Sequence, residues 1–109
     1  MTSIQSILSD LYEPFRGLPC AVSHYRRTSN PPYMVWAEDG EEGSFHADNR
    51  KNEQVITGKI DYFTRTEFDE TVDEIQRILD EEGVAWILEE VLYEEETNLI
   101  HYTWRWRTR

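Results

Sequence analysis

The sequence predicts an α+β fold in which two helices pack against a mainly antiparallel sheet of about four to five strands. Apolar residues recur at helical spacing in two segments, 4–15 and 68–79, and in the last segment of the chain they alternate strictly with polar residues. The length of 109 residues suffices for one hydrophobic core. We therefore predict a single domain over residues 1–109.

The first helix is predicted from a stripe formed by Ile4, Leu8, Leu11 and Phe15, with Ile7 beside it. Thr2 or Ser3 can cap its start, and Pro14 marks its end. A turn at Gly17 leads to a short extended piece from Ala21 to Tyr25. The rigid connector "SNPP" then precedes a strand, "YMVWAE".

The middle of the chain predicts a loop followed by a long strand. The loop is "DGEEGS", residues 39–44, and the strand is "EQVITGKIDYFTR", residues 53–65. Ile56, Ile60 and Tyr62 share one face of this strand. Gly58 lies within the same face and indicates a bulge or close packing.

The second helix is the most clearly amphipathic segment, "TEFDETVDEIQRILDEEG". Its predicted apolar stripe consists of Phe68, Val72, Ile75 and Leu79, with acidic residues opposite. Thr66 and Asp69 resemble a capping box, and Gly83 is placed to end the helix.

A closing hairpin is predicted from "VAWILEEVLY", a turn in "EEETN", and "LIHYTWRWR". In the last strand an apolar face alternates with a polar one, as expected for a sheet with one side on the core. The apolar face holds Ile100, Tyr102, Trp104 and Trp106; the polar face holds His101, Thr103, Arg105 and Arg107.

The negative charge is concentrated in one segment. The chain has 22 acidic and 11 basic residues, a formal charge of −11. Glu67–Glu96 contains thirteen of the acidic residues and only one basic residue, Arg77. Such a surface repels phosphates, so we expect no conventional nucleic-acid binding. It is explained either as a solvated face that keeps the protein soluble or as a surface that avoids DNA or meets a basic partner.

Three further features bound the function. No apolar run is long enough to span a bilayer, and "MTSIQSILSD" lacks the basic region and cleavage site of a signal peptide. We therefore expect a cytoplasmic protein without membrane contact. The single cysteine, Cys20, excludes an internal disulfide and a cysteine-rich zinc site.

The segment "SFHADNR", residues 44–50, brings together residue types that occur in reactive centres. His46 and Asp48 are two positions apart, but neither a nucleophile nor a pocket is indicated beside them. We interpret the segment as a structural loop in which Phe45 is an anchor and Asp48 and Asn49 hydrogen-bond the local backbone. No catalytic residue, cofactor site or metal site is predicted, and we expect the protein not to be an enzyme.

Two features favour a protein–protein interface. Asp80, Glu81 and Glu82 crowd the negative end of the second helix, where each misplaced charge costs on the order of 0.3–1 kcal/mol. The chain ends in "TWRWRTR", which leaves Trp106 close to the terminus. Trp and Arg dominate interface hot spots, so a docking C-terminal edge is an alternative to a core role for this stripe.

Residues 17–106 resemble the tail-terminator or tail-completion proteins of long-tailed phages and prophages, a family also described as head–tail joining or minor tail proteins. The resemblance lies in the segments "GLPCAVSHY", "PPYMVWAEDG", "SFHADNR", "GKIDYFTR" and "ILDEEGVAW", followed by a closing aromatic strand. The closing hairpin differs in length from the family pattern, and "TWRWRTR" is more basic.

The resemblance implies a structural protein of virion assembly that forms a homo-oligomeric ring, possibly a hexamer. Its partners would be tail-tube and head–neck connector proteins, and it would pass from the host-cell cytoplasm to the tail–head junction. We hypothesise that Arg105 and Arg107 of one subunit meet the acidic surface of the next. The predicted interface comprises Arg105, Arg107, Trp106, Asp69, Asp73, Glu74, Asp80 and Glu81.

Two other functions remain open. A free acidic module could mimic DNA and occupy a basic nucleic-acid-binding protein, if its carboxylates lie at phosphate-like spacing. A small enzyme or ligand-binding domain would instead require a deep pocket with convergent polar groups.

Overall fold

A computed structural model describes residues 3–28, 30–43 and 54–108. The chain begins with helix α1 (Ile4–Tyr12), which continues into a short 3-10 helix (Glu13–Gly17). Strands β1 (Ala21–His24), β2 (Tyr33–Glu42) and β3 (Val55–Thr64) follow. Helix α2 (Glu70–Glu81) then precedes the hairpin of β4 (Ala85–Glu94) and β5 (Leu99–Arg107).

The five strands form one mixed sheet in the order β1-β2-β3-β5-β4. Only the β1–β2 pair is parallel in this sheet; the other three pairs are antiparallel. The predicted fold class is therefore confirmed, with one parallel pair added. The C-terminal strand β5 lies inside the sheet between β3 and β4, so the core role predicted for its aromatic stripe is confirmed and the alternative of a docking edge is wrong.

The main core lies between the helices and one face of the sheet, which we call the helix face. Leu8, Leu11 and Phe15 from the N-terminal helices meet Ile75 and Leu79 of α2 there. The sheet contributes Met34 and Trp36, Ile56, Ile60 and Tyr62, and Trp104 and Trp106. The apolar stripes predicted for β3 and β5 are thus on the core side.

Gly58 allows one of these tryptophans to approach the sheet closely. It pairs with Trp106 across β3 and β5, and a Cβ on Gly58 would overlap the indole ring of Trp106 and the carbonyl oxygen of Ala37. The predicted close packing at Gly58 is confirmed. Trp106 itself is only 1% exposed.

Both helix starts are capped by side chains. The Ser3 hydroxyl accepts a hydrogen bond from the Ser6 amide at 3.1 Å, as the sequence predicts for α1. In α2 the cap is Asp69, which accepts from the Thr71 amide at 2.9 Å. The prediction that Thr66 caps this helix is wrong, because α2 begins only after Asp69. Gly83 follows its end with φ of +70°, as predicted.

Two further expectations fail. Phe68 precedes α2 and is 95% exposed, so it does not belong to the apolar stripe of the helix. Asp39–Glu42, predicted as loop, continue β2, with an irregularity in the pairing between Glu38 and Gly40. The residue left without a cross-strand partner at this break is Asp39, since Glu38 pairs with Gly58 and Gly40 with Thr57.

Candidate functional site

The second face of the sheet, which we call the outer face, carries the cluster that most resembles a reactive centre. Nε2 of His101 lies 2.7 Å from an Asp61 carboxylate oxygen. The Thr103 hydroxyl donates to the same Asp61 oxygen at 2.9 Å and lies 3.2 Å from the same nitrogen of His101. A nucleophilic relay needs the hydroxyl and the carboxylate on opposite nitrogens of the imidazole. This arrangement therefore lacks the geometry of a catalytic triad.

Packing around that cluster explains it as a structural feature. Phe63 stacks on the His101 ring with centroids 4.1 Å apart, and Tyr33 stacks on Phe63 at 4.6 Å. Phe63 and Tyr33 are buried together with Val35 in a second, smaller core on the outer face. Thr103 is only 7% exposed, so its hydroxyl is not accessible to a substrate.

A second polar cluster joins β1 to β2. Nε2 of His24 lies 2.7 Å from Oε1 of Glu38, and the Tyr25 hydroxyl donates to the other oxygen of the same carboxylate. The His24 ring is stacked between Tyr25 and Trp36, at centroid distances of 3.8 and 4.0 Å. Burial alone would raise the pKa of Glu38, but the hydrogen bonds from Tyr25 and His24 outweigh it and leave this pKa lowered.

Asp69 connects α2 to β3. Besides capping the helix, its second carboxylate oxygen accepts hydrogen bonds from the hydroxyls of Tyr62 at 2.6 Å and Thr64 at 2.7 Å. Burial opposes ionisation of Asp69, but the donors from Tyr62, Thr71 and Thr64 prevail and lower its pKa. The carboxylate predicted as part of a subunit interface is therefore engaged within its own chain.

The other acidic residues predicted on the interface have different environments. Arg77 pairs with both Glu74 and Glu81, at i,i+3 and i,i+4 spacing. Asp80 accepts a hydrogen bond from the Trp86 indole at 2.8 Å, which explains one acidic residue at the C-terminal end of α2. Asp73 is exposed, and among the described residues it makes no hydrogen bond or ion pair.

The predicted basic residues lie on the outer face, opposite α2. Nε of Arg105 donates to Glu89 on the neighbouring strand at 2.8 Å, and Lys59 lies 3.6 Å from the same carboxylate. Arg107 donates to Glu42 at 2.6 Å. Both arginines are therefore paired within the chain, and Arg105 already meets one carboxylate of the acidic segment.

Trp106 is the clearest correction among the predicted interface residues. Its side chain is buried in the core against Gly58, so it is unavailable to a neighbouring subunit. The predicted loop residues Phe45, Asp48 and Asn49, together with His46, lie outside the described residues.

The feature that sequence reasoning missed is the edge strand β4. From Ile87 to Glu94 every residue is exposed, whichever face of the sheet its side chain occupies. The exposed apolar residues have 38–61% of their surface accessible and are Ile87, Leu88, Val91, Leu92 and Tyr93. A signal was present, because "AWIL" and "VLY" are continuous apolar runs where a half-buried strand would alternate.

Phe68 is a second unusual surface residue. Its φ of +56° is uncommon for a bulky side chain, and its ring projects almost entirely into solvent. It borders a shallow surface depression shared with Pro19 and the start of α2. A strained, exposed aromatic residue is typical of a contact surface.

The part of the chain that the structure describes contains no group of three or more His, Cys, Asp or Glu side chains that could hold a metal ion. Within those same residues, no helix is long and apolar enough to cross a membrane. The sequence matches no protein-family model. A comparison with curated proteins likewise finds no significant match.

Proposed function

We propose that this protein is a non-enzymatic component of virion assembly, of the tail-terminator type that its sequence resembles. It caps the tail tube as a ring of identical subunits and joins the tube to the head–neck connector. The observation that carries the proposal is strand β4, whose five large apolar side chains are exposed at one end of the sheet. Contiguous exposed apolar residues mark interaction surfaces in folded proteins.

The strand is also suited to association through its backbone. β4 has ten residues, and among the described parts of the chain it pairs with β5 alone. A long, apolar edge strand is a template for pairing with another chain unless a partner covers it. Covering this edge would bury both its backbone groups and its apolar side chains.

The polar clusters support assembly over catalysis. The histidines and hydroxyls described above share hydrogen bonds to carboxylates of their own chain, as in the Asp61–His101–Thr103 cluster. The histidine rings also stack against aromatic rings. These contacts hold β1, β2, β3 and β5 together. Polar clusters engaged in this way support a role in binding other proteins rather than in catalysis.

The charge distribution supports assembly over DNA mimicry. A mimic requires a row of unpaired carboxylates at phosphate-like spacing. On α2, Arg77 bridges Glu74 and Glu81 and offsets one of their two charges, and Arg105 and Lys59 offset the charge of Glu89 on the hairpin. The remaining carboxylates still repel duplex DNA, which suits a ring through which DNA passes.

Binding to a tail-tube protein from the same source tests the proposal. Native mass spectrometry should detect a complex of the two proteins containing several copies of this chain. A variant with Ile87→Thr, Val91→Thr and Leu92→Thr should lose that complex, because the exposed apolar surface is removed while β-propensity is kept.

Asp10→Ala is the matched surface control, since it changes an exposed residue of α1 that lies outside the predicted interface and should leave the complex intact. Absence of any complex between the wild-type protein and the tube protein would contradict the proposal. Competition with DNA for a basic protein would then favour the mimic.

A further inference from the structure

The two ends of the sheet carry opposite charge. β4 and the turn after it, residues 85–98, contain five carboxylates and no basic residue. The other end is β1, and no strand lies beyond it in the described part of the chain. The segment directly after β1 contains Arg26 and Arg27, neither of which pairs with a carboxylate among the described residues, whereas Arg16 pairs with Glu13, and Glu38 is bound to His24 and Tyr25. One edge of the molecule is therefore complementary in charge to the other edge of a second molecule.

The two edge strands, β1 and β4, also occupy the same position along the strand direction. Following the pairing across the sheet, Val22 is level with Met34, Tyr62, Tyr102 and finally Val91. By the same route His24 is level with Leu88, and Ala21 with Leu92. The whole of β1 thus lies at the height of the exposed apolar stretch of β4.

Strand direction fits as well. β1 is parallel to β2, and each later neighbour in the order β2-β3-β5-β4 reverses direction. β1 and β4 therefore run in opposite directions. If the sheet of one copy continues into the sheet of the next, β4 and β1 meet as an antiparallel pair, which is the more stable kind of ladder.

We infer that β4 of one copy pairs with β1 of a second copy, head to tail, and that this contact is the subunit interface of the assembly. The inference rests on the proposed assembly function and names its partner surface. Side chains that share a face would meet in register: Val22 beside Val91, His24 beside Leu88, and Ala21 beside Leu92. A contact between two different surfaces generates a ring when its rotation closes.

Arg26, which is exposed directly after β1, is the basic side chain available to this contact, whereas Arg27 reaches over the middle of the sheet. The segment between β1 and β2 reaches the outer face, since the Arg27 guanidinium lies 5.0 Å from the centre of the Phe63 ring. Phe63 is level with Leu92 through His101. Glu90 lies one position before the apolar pair Val91 and Leu92. Its side chain makes no hydrogen bond or ion pair among the described residues, so it is available to a cation of the next copy.

Pairing of β4 with β4 of a second copy is disfavoured by the same charges. An antiparallel self-pair centred on the strand would place Glu90 of each copy opposite Glu89 of the other. Glu89 is already paired with Arg105 and Lys59, and neither β4 contributes a cation to Glu90. Like charges directly opposite destabilise a strand pair. The basic β1 edge is the favoured occupant.

A charge-swap experiment tests the inference. The first variant, Glu90→Lys with Glu95→Lys, makes the β4 edge basic. The second, Arg26→Glu, makes the β1 edge less basic and leaves the Arg27–Phe63 contact in place. All three side chains are exposed and make no hydrogen bond or ion pair among the described residues. Circular dichroism and thermal melts of the variants should therefore match those of the wild type.

Sedimentation velocity over a concentration series should show reversible association of the wild-type protein. Each variant alone should lose most of that association, and an equimolar mixture should regain it, because each basic β4 edge then finds an acidified β1 edge. Asp10→Ala should sediment as the wild type.

A wild-type protein that remains monomeric at every concentration would overturn the inference, as would variants that associate normally or a mixture that fails to recover. These results leave the proposed function to be judged separately by binding to the tail-tube protein. If the wild-type protein does not bind the tail-tube protein, that result would instead contradict the proposed function.

Discussion

The indole ring of Trp106 packs directly over Gly58, its cross-strand partner on β3. A side chain at position 58 would fill the space that the ring occupies. The contact fixes the C-terminal strand in the middle of the sheet and buries a tryptophan three residues from the end of the chain. It also explains why Trp106 belongs to the core.

Gly58→Ala should destabilise the protein by about 1–3 kcal/mol, because the added methyl group overpacks the core between Trp106 and Ala37. Urea denaturation followed by tryptophan fluorescence measures the change. Gly17→Ala is the matched control, since a Cβ there meets nothing within 4 Å. Equal stability of the two variants would contradict the packing described.

The parts of the fold with strong local periodicity could be predicted from the sequence. Ile75 and Leu79 on α2, and Trp104 and Trp106 on β5, are buried as their spacing indicates. Here the residues that define the pattern are also those that pack on one another. The hydrophobic periodicity of each segment is therefore sufficient to predict which of its residues are buried.

The predictions that failed concern residues whose environment is set by contacts outside their own helix or strand. Phe68 fits the helical stripe of α2, but Asp69 ends the preceding loop by capping the helix and binding Tyr62 and Thr64, which leaves Phe68 outside. The continuous apolar runs "AWIL" and "VLY" mark β4 as unusual, but its exposure follows from its place at the end of the sheet, which those runs do not specify. The candidate interaction surface was therefore missed, and Trp106 was assigned to it in error.

Asp69→Ala should lower the free energy of unfolding by at least about 3 kcal/mol. The loss of a helix cap contributes about 1 kcal/mol, and two hydroxyls lose their acceptor, at about 1–3 kcal/mol for a buried group. Chemical denaturation measures the effect. Asp73→Ala removes a carboxylate from the same helix without removing a contact and should change stability by less than about 1 kcal/mol. Similar losses in both variants would show that Asp69 acts only through its charge.

Stability should fall as the pH is lowered, partly through Asp69. Its pKa is lower in the folded protein than in the unfolded chain, so the unfolded state binds the proton more readily and stability rises with pH. The contribution of Asp69 to the free energy of unfolding is complete above its pKa in the unfolded chain, about 3.9. It is lost as the pH falls through the lower pKa of Asp69 in the folded protein. Asp69→Asn keeps an acceptor for the helix cap but does not titrate.

The difference in unfolding free energy between the wild type and Asp69→Asn should therefore narrow below about pH 4. Denaturation at a series of pH values, from neutral to strongly acidic, measures it. A constant difference across that series would contradict the lowered pKa of Asp69.

The thiol of Cys20 should react slowly in the folded protein. Burial, together with the nearby Asp69 carboxylate, raises the pKa of Cys20 to about 11. Because the thiolate is the reactive form, iodoacetamide at pH 8 should alkylate Cys20 on the order of a hundredfold more slowly than an unperturbed thiol with a pKa of about 8.5. Mass spectrometry at timed intervals measures the rate. Unfolding in urea should restore the ordinary rate, and Asp69→Asn should give a smaller acceleration, because burial is the larger cause. Rapid alkylation of the folded wild type would contradict the environment described for Cys20.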